Sequence, residues 1–263
     1  WALKPVRPVV WKDFLGVNAQ FQWFPDAVAR KQVERLKALG LNWVRLGLHW
    51  MLLEPKEGQF DLQPIDRMMK LVADQGFKSV AYLMGTPRYA STVEKGDRYE
   101  QYFDKFPPRD PRLYAQRLTL LAKRYPHVDV WQVWNEPNLK QFWGPDPDAE
   151  DFAKFTRVVH QTLAPVRNKV KLVHAGLSKS DIEFMWHLWD ADPKHGETFD
   201  IMAVHSYVFD GNDGIRAPDA MDKDSSDAGP MGFVGSTKDA GYLGKVFNLQ
   251  LFMTLRGSPG KPI

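Results

Sequence analysis

The segment of the sequence best suited to chemistry is Asn135-Glu136-Pro137-Asn138, which directly follows the run Val130-Trp131-Gln132-Val133-Trp134. This mostly apolar run predicts a buried strand that places the carboxyl group of Glu136 at its carboxyl end, beside the amide of Asn135. A carboxylic acid held there can protonate the leaving oxygen of a glycosidic bond, and the amide can donate to a sugar 2-hydroxyl. The alternative is structural, because an Asn-Glu-Pro-Asn turn could serve only to cap the next helix.

Polar side chains also end or follow the other predicted strands. In an α/β barrel the catalytic groups project from the carboxyl ends of the strands, so these residues are further candidates. His205 and Tyr207 are two residues apart and therefore lie on the same face of a strand. For each candidate, a buried polar side chain with a purely structural partner is the alternative. The candidates outside the Asn-Glu pair are Arg45, His49, Trp50, His174, His205 and Tyr207.

Short β-type runs alternate with amphipathic helical stretches, and this alternation is typical of a parallel α/β fold. The predicted strands cover residues 14–18, 43–50, 79–84, 128–134, 171–175 and 201–205. The predicted helices cover residues 26–39, 65–75, 111–125, 149–166, 181–189 and 238–255. The loops after the third and fourth strands, residues 85–110 and 139–148, carry several aromatic side chains. Loops as long as the first of these are usually functional or mobile.

The count of strands predicts an incomplete barrel. Six strands and the beginning of a seventh at Lys261-Pro262-Ile263 can be recognised, whereas a closed (β/α)₈ TIM barrel has eight. We therefore expect residues 1–263 to form one catalytic barrel domain of the α/β class that stops before or within its seventh strand. The rest of the same protein is then the expected partner of this chain.

The composition excludes several other classes of protein. Lys and Arg exceed Asp and Glu by only three and are spread along the 263 residues, which argues against a nucleic-acid partner. The chain has no cysteine, so neither a disulfide framework nor a cysteine metal site can form. No apolar run approaches the roughly 20 residues that span a bilayer, and the first residues lack signal-peptide architecture. An export signal or membrane anchor is therefore expected only before Trp1.

The motifs resemble those of a large group of enzymes. Trp-Asn-Glu-Pro after a fourth strand resembles the acid/base motif of retaining (β/α)₈ glycoside hydrolases, and His205-Ser206-Tyr207 resembles their sixth strand. The second strand, Val44-Arg45 with Trp50, is similar to theirs as well. Over essentially its whole length the chain is similar to glycoside hydrolase family 39, and within that family to periplasmic enzymes that act on a mannose-rich bacterial exopolysaccharide.

The resemblance implies a double-displacement mechanism in which Glu136 is the general acid/base and a second glutamate, after the seventh strand, is the nucleophile. No residue of this chain can be assigned as that nucleophile. Arg45 is then expected to keep the nucleophile ionised, because a nearby cation lowers a carboxyl pKa. Tyr207 is expected to hydrogen-bond the nucleophile, and His205 to contact either the sugar or Glu136.

The resemblance also implies a polysaccharide substrate, no cofactor and no metal. The aromatic and polar side chains of the loops at residues 85–110 and 139–148 predict an open groove with several sugar subsites and therefore internal cleavage. The protein would be periplasmic or secreted, or associated with the inner membrane through a segment before Trp1. The residues expected to bind the sugar chain are His49, Trp50, Tyr82, Trp134 and Trp143.

Two other functions remain open at this point. Three imidazoles at strand ends, His49, His174 and His205, could hold a catalytic zinc ion in a metal-dependent barrel hydrolase. Such barrels usually begin with His-x-His on the first strand, where this chain has Gly16-Val17-Asn18. The second alternative is a barrel that binds carbohydrate without catalysing its hydrolysis.

Overall fold

A parallel sheet of five strands, in the order β1-β2-β3-β4-β5, forms the centre of the molecule. The computed structural model describes residue 10 and residues 14–205, 209–210, 214–215 and 242–263. All four neighbouring pairs are parallel, so the carboxyl ends of the strands meet at one edge. The strands of this sheet are β1 Gly16–Ala19, β2 Trp43–His49, β3 Lys78–Met84, β4 Val130–Val133 and β5 Leu172–Val173.

Four further strands have two residues each. The short strands β6 (Leu177–Ser178) and β7 (Val204–His205) pair in parallel, and a bridge between Val173 and Ile201 continues the parallel arrangement beyond β5. The last two, β8 (Phe209–Asp210) and β9 (Gly214–Ile215), form an antiparallel pair.

Helices connect successive strands and cover the sheet. Three of them begin at an aspartate whose side chain accepts a hydrogen bond from a backbone N–H in the first turn, which stabilises the helix start. These caps are Asp110, Asp148 and Asp181. None of the described helices is both long enough and apolar enough to cross a bilayer. The helices are α1 Asp26–Ala38, α2 Trp50–Leu53, α3 Gln63–Asp74, α4 Pro111–Arg124, α5 Ala149–Leu163, α6 Ile182–Ala191 and α7 Tyr242–Leu255.

The alternation of side chains along β2 decides which groups face the helices. Val44, Leu46 and Leu48 are fully buried in the core between sheet and helices. Successive side chains of a strand point to opposite faces, so Arg45 and His49 lie on the other face. The two faces therefore separate the hydrophobic core from the polar side chains that the sequence places at the strand ends.

The predicted fold class is confirmed, since the chain has an α/β fold with parallel strands. The predicted strands and helices also match the observed ones to within a few residues. β4 ends one residue before the predicted end because Trp134 adopts a left-handed φ of 66°, which leaves the extended conformation. Residues 238–241 of the last predicted helix lie outside the described residues. The division into one truncated domain stays a prediction.

Candidate active site

The candidate site is built around the sharp turn that follows β4. Trp134 and Glu136 have φ values of 66° and 45°, a left-handed conformation that non-glycine residues rarely adopt. The backbone N–H of Trp134 donates to the hydroxyl of Tyr114 at 3.1 Å, and that hydroxyl donates to the carbonyl of Leu83 at 2.8 Å. The backbone N–H of Glu136 donates to the carbonyl of Gly176 at 3.2 Å. These bonds tie the turn to β3, α4 and the segment after β5.

The side chain of Glu136 contacts the imidazole of His205, which ends β7. The distance from Glu136 Oε1 to His205 Nδ1 is 2.8 Å, and the side chains are 12% and 16% exposed. Whichever partner carries it, one proton lies in this hydrogen bond. A carboxyl group at a strand end, still open to solvent on one side and joined to an imidazole, can give a proton to a bound molecule and take one back.

The guanidinium of Arg45 extends from β2 to Asn135, the residue directly before Glu136. Its Nη2 donates to Oδ1 of Asn135 at 2.7 Å, and its Cζ lies 4.0 Å from the ring centroid of Tyr82. Because a guanidinium only donates, the amide oxygen of Asn135 must face Arg45. The NH₂ group of Asn135 is therefore directed away from Arg45, where it can donate to another molecule.

Gln132 was not singled out by the sequence analysis, although it contacts three parts of the site. Its side chain is buried, its Oε1 accepts from Arg45 Nε at 3.0 Å, and its Nε2 donates to the carbonyls of Trp134 and Ala175, both at 2.8 Å. The available signal was a polar residue in the middle of an apolar, fully buried strand. A buried amide of this kind is costly unless all its hydrogen bonds are made.

His49, at the end of β2, lies next to two charged residues of the loop after β3. Burial lowers the pKa of His49, the Lys105 ammonium lowers it further, and the Asp104 carboxylate opposes the shift. Asp104 and Lys105 form an ion pair with a separation of 2.8 Å. Neither was among the predicted site residues, because nothing in the sequence of a long loop tells which part folds back over a strand end.

Three of the predicted sugar-binding residues are core residues, and the prediction is wrong for them. Trp50, Trp134 and Trp143 are 1%, 0% and 1% exposed. The indole N–H of Trp134 donates to the carbonyl of Phe142, and the Trp134 and Trp143 rings pack edge to face with centroids 5.4 Å apart. Trp50 packs on Tyr114 of α4, and Trp134 and Trp143 pack on Phe155 of α5, so these rings bury their apolar surface in the core and not in the cleft.

Other aromatic side chains are exposed in the loops at the carboxyl edge of the sheet. Trp23 follows β1 and is 64% exposed, while Tyr102 lies in the loop after β3 and is 50% exposed. The segment that carries Trp23 is fixed to β2, because Gln22 Nε2 donates to the carbonyl of Gly47 at 3.1 Å. Trp23 was missed because its ring could not be told from a core ring by sequence.

The remaining predicted residues have different outcomes. Tyr82 is buried and accepts a hydrogen bond from Gln20 at 3.4 Å, so only its placement beside Arg45 is settled. Tyr207 lies outside the described residues, and its role stays a prediction. The roles proposed for Arg45, His49, Asn135, Glu136 and His205 in binding or catalysis likewise stay predictions.

The three histidines of the metal-site hypothesis do not come together. His174 is buried on the helix-facing side of the sheet, with its ring 5.1 Å from Phe199 and 5.6 Å from His195, whereas His205 contacts Glu136. Within the described part of the chain no group of three or more histidine or acidic side chains could hold a metal ion. His174 directly follows β5 and lies two residues after Leu172, on the side of the sheet that faces the helices. This alternation turns its imidazole away from the strand-end cleft.

Comparisons with known sequences point to glycoside hydrolases. A glycoside hydrolase family 42 model, described as beta-galactosidase, matches residues 19–93. The chain is 22% identical over 168 residues to a beta-galactosidase of Xanthomonas manihotis, covering 64% of this chain and 28% of that protein. It is 32% identical over 88 residues to the beta-galactosidase BgaA of Thermus sp, covering 33% of this chain and 13% of that protein. The chain thus spans less than a third of either relative.

Solved structures show the same fold. A monomeric beta-xylosidase from Caulobacter crescentus CB15 superposes with a TM-score of 0.65 and 19% identity, covering 94% of this chain and 50% of that one. A GH39 enzyme from Xanthomonas axonopodis pv. citri superposes with a TM-score of 0.63 and 16% identity, covering 94% and 49%. The chain therefore has the α/β fold of these two structures, over about half of their length.

Proposed function

We propose that this chain carries the acid/base half of the active site of a retaining glycoside hydrolase, with Glu136 as the general acid/base. The observation that carries the proposal is the Glu136–His205 contact of 2.8 Å at the carboxyl edge of a parallel sheet, directly after Asn135. The shared fold of glycosidases that are otherwise dissimilar in sequence supports the same reaction class. Fold alone hosts many functions, so the site is the stronger argument.

The proposed reaction has two steps. In the first, the protonated carboxyl of Glu136 gives its proton to the glycosidic oxygen while the bond from that oxygen to the anomeric carbon breaks. A nucleophilic carboxylate, implied by the family resemblance and not assigned within this chain, forms a covalent ester with the anomeric carbon. In the second step, Glu136 takes a proton from water as the water oxygen attacks the same carbon, which releases the sugar with its configuration retained.

The neighbouring residues have supporting roles in this proposal. The NH₂ group of Asn135, oriented by Arg45, would donate to the 2-hydroxyl of the sugar, a contact that strengthens in the transition state. His205 would hold the carboxyl group of Glu136 in place and adjust its proton affinity through the shared hydrogen bond. Arg45 would contribute positive charge next to the nucleophile.

For the substrate we propose a long, mannose-rich bacterial exopolysaccharide of the Psl type, cleaved internally in the periplasm or outside the cell. The resemblance noted in the sequence supports the sugar and the compartment. The exposed rings of Trp23 and Tyr102, in loops that follow different strands, support an extended binding groove with several sugar subsites. The product profile tests this: early oligosaccharides of mixed length indicate internal cleavage, and monosaccharide release from the outset excludes it.

Replacement of Glu136 tests the proposed function directly. In the complete enzyme, Glu136→Gln keeps the shape of the side chain but removes the proton donor, so turnover of an unactivated polysaccharide should fall by about 10²–10⁴-fold while substrate binding persists. Aryl glycosides with good leaving groups need no proton for bond cleavage and should lose less in the first step. The matched control is Glu34→Gln, because Glu34 is exposed on α1 and should leave turnover unchanged. Equal losses on both substrates in that step would contradict the assigned role.

A further inference from the structure

We infer that Gln132 is a positioning residue that fixes the turn after β4, which carries Glu136. This inference rests on the proposed role of Glu136. Gln132 lies in β4, four residues before Glu136 in the chain, and is only 1% exposed, so its side chain is closed off from the strand-end cleft. Its three hydrogen bonds join β2, β4 and the segment after β5. Any effect of Gln132 on the reaction must therefore pass through the residues that it holds.

Gln132 acts on Glu136 first through hydrogen bonds to the backbone. Gln132 Nε2 donates to the carbonyls of Trp134 and Ala175, and the Ala175 carbonyl also lies 3.4 Å from the backbone nitrogen of Glu136. Gln132 thereby holds the left-handed Trp134 on one side and, on the other, the carbonyl of Ala175, the more distant of the two carbonyls that accept from the Glu136 amide. Without the two donors, both carbonyls would be buried with fewer partners, and the turn would lose the bonds that oppose its backbone strain.

Gln132 also acts on the site through Arg45, which links it to Asn135. Gln132 Oε1 accepts from Nε of Arg45, and Nη2 of the same guanidinium donates to Asn135. A guanidinium is planar, so a hydrogen bond at Nε fixes the direction in which Nη2 points. Gln132 thus sets the orientation of the Asn135 amide, which precedes Glu136 in the chain.

Two substitutions test these hydrogen bonds. Gln132→Glu keeps an acceptor for Arg45 but, once ionised, cannot donate to the carbonyls of Trp134 and Ala175. Gln132→Met has a side chain of similar length and removes the hydrogen bonds to Arg45 and to both carbonyls. The matched control is Thr156→Val, because Thr156 is also buried and its hydroxyl donates to backbone carbonyls within α5, away from the turn.

The test compares each variant on an unactivated glycoside and on an aryl glycoside with a good leaving group. We expect Gln132→Met to lower kcat on the unactivated substrate by about 10–100-fold, since small displacements of a catalytic group cost this much, with KM changed less than about threefold. The loss on the activated substrate should be smaller, as for Glu136→Gln. Gln132→Glu should show the same dependence on the leaving group, and Thr156→Val should show none. A loss that is equal on both substrates, or no loss in Gln132→Met, overturns the inference.

A second readout does not depend on turnover. The exchange of the Glu136 amide proton with solvent should be at least about tenfold faster in Gln132→Met than in the unsubstituted protein, and unchanged in Thr156→Val. If Glu136→Gln keeps full turnover, the proposed function fails, and the exchange rate alone then decides whether Gln132 holds the turn. Unchanged exchange of the Glu136 amide overturns the inference regardless of the activity result.

Discussion

At the scale of single residues, Gly176 shows how closely the candidate site constrains the chain. Its φ is 67°, a conformation that disfavours side chains, and its carbonyl accepts the hydrogen bond from the Glu136 amide. A Cβ atom at this position would lie 2.5 Å from Nε2 of His205. The glycine therefore provides both the backbone conformation and the space that lets His205 reach Glu136.

Gly176→Ala should consequently impair the site more than it destabilises the fold. We expect displacement of the His205 ring and a fall in kcat, because the Glu136–His205 hydrogen bond cannot keep its length. Gly76→Ala is the matched control, since Gly76 has a φ of 65° but nothing within 4 Å of its Cβ position. Both variants should lose about 1 kcal/mol of stability or somewhat more from backbone strain, measured by urea unfolding. Equal kcat values in the two variants would contradict the expectation.

The sequence predicts some of these residues and not others for physical reasons. Glu136 and His205 could be placed near one another because Glu136 follows one predicted parallel strand and His205 ends another, and the carboxyl ends of parallel strands meet at one edge. Gln132, Asp104 and Lys105 could not be found, because their roles depend on which neighbours the tertiary fold brings within hydrogen-bonding distance. The buried tryptophans were misassigned because a ring that packs in the core and a ring that stacks on a sugar have the same sequence signature.

At the scale of elements, the layer between β5 and its covering helices contains two buried imidazoles. His174 and His195 are fully enclosed, and none of their four ring nitrogens has a hydrogen-bond partner among the described residues. Burial lowers the pKa of both, the neighbouring His195 and His205 add to the effect on His174, and Arg157 on α5 adds to the effect on His195. For His195 the lowered pKa is about 3.

This layer should make the protein sensitive to acid. In the unfolded chain His195 binds a proton near pH 6.5, whereas in the folded chain it stays neutral down to about pH 3. The free energy of unfolding is therefore undiminished by this group above about pH 6.5 and falls as the pH drops from there towards about 3. The slope contributed by one such group is about 1.4 kcal/mol per pH unit. His195→Leu should flatten the dependence of the unfolding free energy on pH by this amount, and His127→Leu, at an exposed imidazole, should not. Parallel curves for the two variants would refute the idea.

A buried ion pair joins α4 to the end of α2. Glu54 is fully buried and accepts from Arg117 at 2.6 and 2.7 Å, from the Trp50 indole at 2.8 Å and from the Gly58 amide at 2.8 Å. Burial by itself would raise the pKa of Glu54, but these hydrogen bonds outweigh it and hold the pKa below its ordinary value. The carboxylate therefore stays ionised inside the protein and fixes Trp50, the residue directly after His49.

Glu54→Gln should cost about 3 kcal/mol, because it leaves the largely buried Arg117 without its counter-charge. Asp66→Asn is the matched control. Asp66 forms a similar two-bond pair with Arg124, at 2.6 and 2.7 Å, but both side chains are substantially exposed, and such pairs contribute at most about 1 kcal/mol. Urea unfolding of both variants measures the difference, and similar losses would show that burial does not decide the strength of the pair.

At the scale of the whole molecule, two exposed indole rings of the described residues lie on different parts of the surface. Trp23 lies at the carboxyl edge of the sheet, in the loop after β1, whereas Trp186 lies on α6 against Phe252 and is 45% exposed. Only the first position is on the same edge as Glu136. A sugar chain that extends beyond the scissile bond would therefore have Trp23, and not Trp186, available for stacking.

Trp23→Ala should raise KM for long oligosaccharides by about 2- to 10-fold and leave the hydrolysis of a short aryl glycoside nearly unchanged, since a lost ring contact of this kind is worth about 0.5–1.5 kcal/mol. Trp186→Ala should change neither. The measurement is KM as a function of oligosaccharide length. If Trp23→Ala has the same KM as the unsubstituted protein at every length, Trp23 is not part of the proposed groove.

The burial of five indole rings makes tryptophan fluorescence a probe of binding near Trp23. Trp50, Trp131, Trp134, Trp143 and Trp189 lie in the core, so their fluorescence is shielded from soluble quenchers, whereas the ring of Trp23 is open to them. An oligosaccharide that covers Trp23 should reduce the quenchable part of the emission. That reduction should disappear in Trp23→Ala and persist in Trp186→Ala. Binding in the groove can thus be followed without any turnover, including in the Glu136→Gln variant.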